Sequence, residues 1–473
     1  MEGPRAPRHA GLAVPLLQDG HLGEPGGRPP GGLNLQGSQV IPRGRVRKLD
    51  APPFFVWREG VRVRRTADVA IPLQAGEGAD GAYVWRLVAL FCGGWAVIYA
   101  DRTVLYPLLT VIAGEFGLSG VQTGFITATY FTVYVSAQLI SGLLAERFGL
   151  KRTLVVFSLV AAVGIAGFGL AAVNYPALLA VAGLHGAGAG AYYTMAYSIT
   201  IHTVPNTLRG IASGVINGGM SLGLAAGLAL AGPLYQATGS WRIPFLILAV
   251  PTFLASGLYQ GMIREVRLSA RRTVPLWHLI RDPTLLCMNL SGFCVLYGWW
   301  VLLSWGPVFF QTERGVSLTI SGLYTLVIAV TAIPSGLLLG RLSDRIGRKR
   351  IILLLLPLMA LTLGAVAQVH SRTGMLAVLL AYGLVGKLAW DPVGIAWLGD
   401  YLVRKHPEGI GAAVALFSFT SVLSAVVGPP LTGWIKDLTG SLTGGFYLAA
   451  GVTLAAFFLT LRPEESGRAG THR

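Results

Sequence analysis

The segment Gly142-Leu-Leu-Ala-Glu146-Arg147-Phe-Gly149-Leu-Lys151-Arg152 returns as Gly340-Arg-Leu-Ser-Asp344-Arg345-Ile-Gly347-Arg348-Lys349-Arg350. The order is the same in both copies: a small residue, an acid followed by a base, a second glycine, then a basic pair. Each copy follows the second long apolar run of its half of the chain, and the copies stand 198 positions apart. Two further echoes lie at nearly the same offset. Gly210-Ile211-Ala-Ser pairs with Gly409-Ile410-Gly-Ala, and Gly232-Pro233-Leu with Gly428-Pro429-Pro430. Three echoes at nearly one spacing indicate a duplicated unit, and parallel repeats of six helices build one class of membrane transporter.

Outward from these loops the chain reads as membrane protein. It is 53% hydrophobic and 12% charged, against about 25% charged in an ordinary soluble domain. Too few charges remain to cover a water-facing surface. A spanning helix needs about 20 apolar residues. Such runs occur near 87–112, 121–143, 152–172, 176–203, 210–234 and 242–262. After a polar stretch they resume at 285–311, 317–340, 350–369, 374–401, 410–434 and 442–461. The expected fold is therefore an all-α membrane protein with twelve transmembrane helices as two pseudo-symmetric six-helix bundles. Residues 85–263 form the N-terminal bundle, 264–283 a central loop, 284–462 the C-terminal bundle and 463–473 a tail. Residues 1–84 are rich in Gly, Pro and Arg without apolar periodicity and read as a disordered extension, or as sequence upstream of a true start near Val84.

The net charge of +16 points to nucleic acid or to a membrane. The bases are spread through short loops rather than gathered with aromatics on one face, which excludes nucleic acid. With the central loop placed in the cytoplasm, that side carries Arg147, Lys151, Arg152, Arg209, Arg264 and the Arg341–Arg350 cluster. The other side holds only Arg242, Arg314, Arg372 and Lys436. The positive-inside rule then puts both termini in the cytoplasm of a cell inner (plasma) membrane protein. Cys92, Cys287 and Cys294 lie in apolar runs without metal-ligand or disulfide spacing. No nucleophile–base pair stands out, so no enzyme activity, cofactor or metal is expected.

The repeated loop resembles the signature loop of the major facilitator superfamily, and the likeness covers residues 85–462. Gly142 and Gly340 would let helices approach closely across the half interface, and Gly149 and Gly347 would allow a tight turn. Glu146 and Asp344, with Arg147, Arg152, Arg345 and Arg350, would form ion pairs that hold the cytoplasmic ends together and break when that side opens. Asp400, at the end of helix 10, lies near the place where the family carries a further acid. At the end of helix 4 His202 stands where the family has one, before Pro205 and Arg209-Gly210.

Charges in mid-membrane cost roughly 2.5–3.5 kcal/mol each on insertion scales and mark functional positions. The spans leave Asp101, Arg102, His185, Lys387 and Asp391, all on helices 1, 4 and 10, which line the central cavity of the resembled family. The run Tyr99-Ala-Asp101-Arg102-Thr103 resembles the helix-1 signature of that family's anion:cation symporter branch, and Trp305-Gly-Pro307 resembles its helix-7 segment. The resemblance implies that Arg102 holds an organic anion, for which a planar guanidinium fork is suited, and that Asp101 carries the coupling proton. The branch commonly has an arginine and a glutamate in helix 4, where this chain reads His185-Gly-Ala-Gly-Ala-Gly190. Lys387 is the candidate for the second cation, with Asp391 four residues on to tune it or carry a proton. Tyr99, Tyr193 and Trp390 flank or face these charges and complete the expected substrate site. The expected function is proton-coupled (or sodium-coupled) uptake of a small organic anion by alternating access in a monomer. A drug/proton antiporter and a non-transporting sensor are the alternatives.

Overall fold

The computed structural model describes residues 81–266 and 276–463. The expectations for residues 1–80, for 267–275 of the central loop and for the tail beyond 463 lie outside the described residues. Every regular element described is a helix: α1 (Gly81–Thr103), α2 (Leu105–Phe116), α3 (Gly120–Phe148), α4 (Leu150–Leu170), α5 (Tyr175–Thr203), α6 (Arg209–Thr238), α7 (Arg242–Met262), the short α8 (Leu276–Ile280), α9 (Pro283–Thr312), α10 (Leu318–Ile346), α11 (Arg348–Gln368), α12 (Arg372–Val385), α13 (Lys387–Lys405), α14 (Ile410–Thr439) and α15 (Thr443–Leu461). Taking α1–α2, α12–α13, and α14 with the short 3-10 turn before it as continuous, eleven helices are long and apolar enough to cross a membrane.

α1 begins at Gly81, inside the segment expected to lack structure. Its first turn is held by Arg264, whose backbone N–H donates to the Tyr83 hydroxyl (3.1 Å) and whose guanidinium stacks 4.6 Å from the Tyr83 ring. α5 is not among the eleven apolar helices. Its glycines, tyrosines and two histidines dilute the aliphatic residues, yet it is wedged between α3 and α4. A Cβ on Gly186 or Gly190 would collide with the carbonyls of Tyr130 and Tyr134 on α3, and one on Gly188 with the backbone of Ala161 on α4. Glycine thus lets three helix backbones meet where larger residues would hold them apart.

The two ends of the helix array differ. At the end opposite the basic loops, helices from the two sides of the central loop touch backbone to backbone. A Cβ on Gly124 would strike Pro429 and Pro430, and Gly120 and Gly433 would each collide with the other. Asp437 on α14 accepts from the backbone N–H groups of Gly120 (2.5 Å) and Val121 (2.8 Å), capping α3 across the seam. A matching seam joins α6 and α10 through Gly232 against Thr319 and Gly322 against Leu228. At the basic-loop end Gly142 and Gly340 have open space where a Cβ would sit. The close approach expected of these two glycines is absent here. Gly124→Val is expected to pry the closed end apart. Overpacking costs about 1–3 kcal/mol, enough to shift a two-state balance by roughly 5–150-fold. Maleimide labelling of a cysteine introduced at Thr110, in a background free of Cys92, Cys287 and Cys294, should then rise sharply. Unchanged labelling would show that the seam does not set the closed state.

At the basic-loop end the ion pairs of Arg152 and of Arg348 each lie within one side. Gly149 and Gly347 take φ of 93° and 111°, the turn geometry that glycine reaches most easily. Arg348 joins Asp344 (3.1 Å) to Asp400 (2.5 Å). Arg152 lies 3.9 Å from Glu265, which also accepts from the Lys151 N–H (3.0 Å). Arg147 stacks 5.2 Å from the Phe148 ring. His202 bonds through Nδ1 to the Ser198 carbonyl (2.7 Å), and Arg209 caps α5 through the Ile201 and Val204 carbonyls.

Asp282 closes the start of α9. It accepts from the N–H groups of Thr284 (2.8 Å) and Leu285 (3.2 Å) and from the Tyr401 hydroxyl (2.7 Å), with His406 Nε2 at 2.8 Å. Burial pushes its carboxyl up, but Tyr401, His406 and the two backbone donors together hold it below the usual aspartate value. A depressed carboxylate stabilises the fold fully above its unfolded value of about 3.9. That contribution is lost as pH falls through the folded value. Asp282→Asn should therefore lower the Tm at neutral pH, and the difference from wild type should close as pH falls through the folded value of the carboxyl. A gap that persists in acid would assign the loss to packing instead.

Candidate functional site

The first membrane helix breaks at Val104, between α1 and α2, two residues after Arg102. Pro107 explains the break, since proline removes the N–H that would bond the carbonyl four residues back and its ring crowds that carbonyl. Thr103 fastens the kink, its hydroxyl donating to the Tyr99 carbonyl (2.7 Å). The break leaves Asp101 and Arg102 on the last turn of α1, pointing about 100° apart.

Asp101 turns into the interior of the helices that precede the central loop. It is 1% exposed. Thr252 on α7 donates its hydroxyl to Oδ2 (2.8 Å), and His185 Nε2 on α5 lies 3.8 Å from the same oxygen. Oδ1 and His185 Nε2 are buried without a hydrogen-bond partner. Arg102, also buried, turns toward α3 and α9. Its guanidinium carbon lies 3.9 Å from the centre of the Tyr99 ring, 5.2 Å from that of Trp300 and 5.4 Å from that of Phe131. These rings cover a cation by its faces. The edge of the guanidinium is left over: Nε and Nη2 are both buried with no hydrogen-bond partner. Those two nitrogens form the side-on fork that matches the two oxygens of one carboxylate. The hydroxyls of Tyr106 and Tyr130 and the indole N–H of Trp300 are likewise buried and unpartnered. A small cavity of about 10 Å³ is lined by Asp101, Arg102, Tyr106, Thr127, Tyr130 and His185, together with apolar residues.

The second charged pair sits at the second break. The chain breaks at Gly386, and Pro392 lies inside α13. Gly386 is extended there (φ −75°, ψ −169°), so α12 and α13 are separate helices and Lys387 opens the second. Lys387 Nζ is 2.5 Å from Asp391 Oδ2 along one face of α13. Trp390 is buried, its ring packed over Gly394. Tyr193 packs against Tyr197 (4.6 Å between ring centres) and Trp95 (6.1 Å). Of the expected substrate residues, the structure brings together Arg102 and Tyr99 in one contact and Lys387 and Asp391 in another.

Trp300 and Tyr130 complete the surroundings with Thr252 and Phe131, two residues that the sequence did not single out. A threonine or aromatic in an apolar helix gives no signal of its own. His185, within a glycine run, was legible as a polar residue inside a span, but not as the neighbour of Asp101.

The family model described as Major Facilitator Superfamily matches residues 91–399 and 288–473. A hexuronate transporter of Bacillus subtilis (strain 168) is 24% identical over 412 residues, covering 80% of this chain and 93% of the relative. A probable galactarate/D-glucarate transporter of the same organism is 22% identical over 417 residues, covering 79% and 90%. Among solved structures, a bacterial homologue of the human lysosomal transporter Spinster, crystallised in an inward-facing and occupied conformation, superposes with a TM-score of 0.66 at 16% identity, covering 81% of this chain and 95% of that one.

Proposed function

The chain belongs to the Major Facilitator Superfamily, a family of membrane transporters rather than enzymes, and from that premise we propose that it takes up a small organic anion together with a proton. The observation that carries this reading is the buried, unpartnered Nε–Nη2 edge of Arg102, one residue from a sealed carboxylate. The named substrates of the relatives, hexuronate and galactarate or D-glucarate, support an organic anion.

In this reading α5 is the twelfth span. The helices fall into two pseudo-symmetric six-helix bundles, 85–263 and 284–462, in a plasma-membrane monomer with both termini cytoplasmic. The basic-loop end then faces the cytoplasm, and the open space at Gly142 and Gly340 makes this an inward-open arrangement. When that end closes, Glu146, Arg147 and Arg152 of one bundle and Asp344, Arg345, Arg350 and Asp400 of the other exchange their present partners for one another. Opening the far side requires the two glycine seams to part. The breaks at Val104 and Gly386 lie beside the charged pairs, as discontinuous helices do at transporter sites.

Arg102 seats the carboxylate, with Tyr99 stacked on the guanidinium. An anion on Arg102 and a negative charge on Asp101 compete for the same cation, so seating the first makes room for a proton on the second. Asp391 and Lys387 border the site, with Tyr193 and Trp390 as neighbours. Proteoliposomes loaded at alkaline pH and diluted into acid buffer test the reading. Accumulation of radiolabelled carboxylates, abolished by a protonophore, is expected. Carboxylate entry indifferent to the gradient would remove the proton, and no carboxylate entry at all would remove the anion.

A further inference from the structure

Resting on the reading that Asp101 carries the coupling proton, we propose that His185 shares that proton with Asp101 across one water molecule, seated in the small cavity that both residues line. The two side chains meet from different helices. His185 Nε2 on α5 lies 3.8 Å from Asp101 Oδ2 on α1, too far for a hydrogen bond. Neither is free to close the gap. Thr252 on α7 holds Oδ2 at 2.8 Å. The His185 backbone is pressed against Gly164 of α4, where a Cβ would collide with it, and the next residue, Gly186, against the Tyr130 carbonyl of α3. Asp101 Oδ1 and His185 Nε2 are both buried without a hydrogen-bond partner. The cavity they line measures about 10 Å³, the room that one water molecule takes. A buried water needs about two to four polar partners. Oδ1 and Nε2 supply two, and the hydroxyls of Tyr106, Thr127 and Tyr130, on the same wall and likewise unpartnered, supply the rest.

The charged and titratable groups that face this pair are Arg102 from α1, Tyr106 from α2 and Tyr130 from α3, whose ring centre lies 5.2 Å from that of His185. From α4 and α7 come Phe168, Phe245 and the uncharged Thr252. Tyr259, two turns beyond Thr252, packs on Phe91 and Tyr192. An arginine keeps its proton in a protein, and an ordinary tyrosine releases its own only near about pH 10. Histidine changes charge between about pH 5 and 8. His185 is therefore the group on this wall that can hold a proton beside Asp101. The transfer balances. The Nε2–H bond of an imidazolium breaks, the water takes that proton and passes one of its own to Oδ1, and a neutral imidazole then faces a carboxylic acid. The charge of the pair is the same before and after. With a carboxylate on Arg102 and one proton on the pair, these groups sum to zero, and an unbalanced charge inside a membrane is costly.

The test uses the purified full chain in weak buffer with a pH-indicator dye. The added acid is glucuronate or glucarate, whichever raises the Tm more. Protons taken up on binding are followed from about pH 5 to 9. In the wild type the band of uptake is expected to spread over two linked titrations, because interacting groups titrate as a pair. His185→Gln keeps a polar group toward the water but has no proton site. It is expected to lose one of the two titrations and to narrow the band by at least about one pH unit. A band of unchanged width, whatever the variant does to the Tm, overturns the proposal and leaves Asp101 as the sole proton carrier. No proton uptake by the wild type with either acid overturns both the proposal and the reading beneath it. Should His185→Gln fail to fold, a wild-type structure that resolves ordered water decides. One water within hydrogen-bond reach of both Oδ1 and Nε2 is expected, and a dry cavity overturns the proposal.

Discussion

Arg102→Lys is expected to reduce carboxylate uptake at least ~100-fold, although it keeps the positive charge. The reason is shape. The guanidinium is clamped by its faces against Tyr99, Trp300 and Phe131, and it presents Nε and Nη2 as a flat edge. An ammonium has no such edge, stacks less well on rings and holds its hydration shell more tightly. A lost charge-assisted pair of hydrogen bonds in a desolvated site costs about 3 kcal/mol or more, which converts to the stated factor. Initial uptake rates in proteoliposomes of matched protein content give the answer, with the Tm of the purified variant as a check on folding. Uptake within a few-fold of wild type would mean that Arg102 contributes charge and packing only.

Asp101→Asn should give a different failure. Asparagine has nearly the same shape, and its carbonyl can still accept the Thr252 hydroxyl that now bonds Oδ2, so the fold should persist. What disappears is the proton site. Gradient-driven accumulation is expected to fall at least ~10-fold, while exchange of labelled for unlabelled substrate across the membrane continues, because loaded carriers can still reorient. Loss of both activities would make Asp101 structural. Full retention of accumulation would move coupling elsewhere, with Asp391 the next candidate.

The membrane class, the approximate helix limits and the repeated loops were legible because they depend on local pattern. The position of α5 could be read as a span from its length and flanks even though its glycines lower its hydropathy. Those glycines matter for contacts with Tyr130, Tyr134 and Ala161, which lie far away in sequence. Pairings across the fold were not legible. Nothing local marks Asp437 as the cap of α3, Glu265 as the partner of Lys151 and Arg152, or Thr252 as the donor to Asp101. The break beside Lys387 illustrates the limit of a rule. A proline removes a helical hydrogen bond, yet α13 runs through Pro392 while the break falls at Gly386. By ending α12 at Gly386, the chain places Pro392 near the start of α13. The direction in which Asp101 and Arg102 diverge was likewise hidden. Adjacent residues must separate by about 100°, but only the packing decides which of them meets Thr252 and which meets Trp300.

A structure of the protein with a bromine-labelled carboxylate, located by the anomalous signal of the bromine, tests the central claim most directly. The account predicts one carboxylate side-on to Arg102, its two oxygens about 2.8 Å from Nε and Nη2, with the labelled body lying between α1 and the Lys387–Asp391 pair. Bromine at another place, with the Arg102 edge still without a partner, would contradict it.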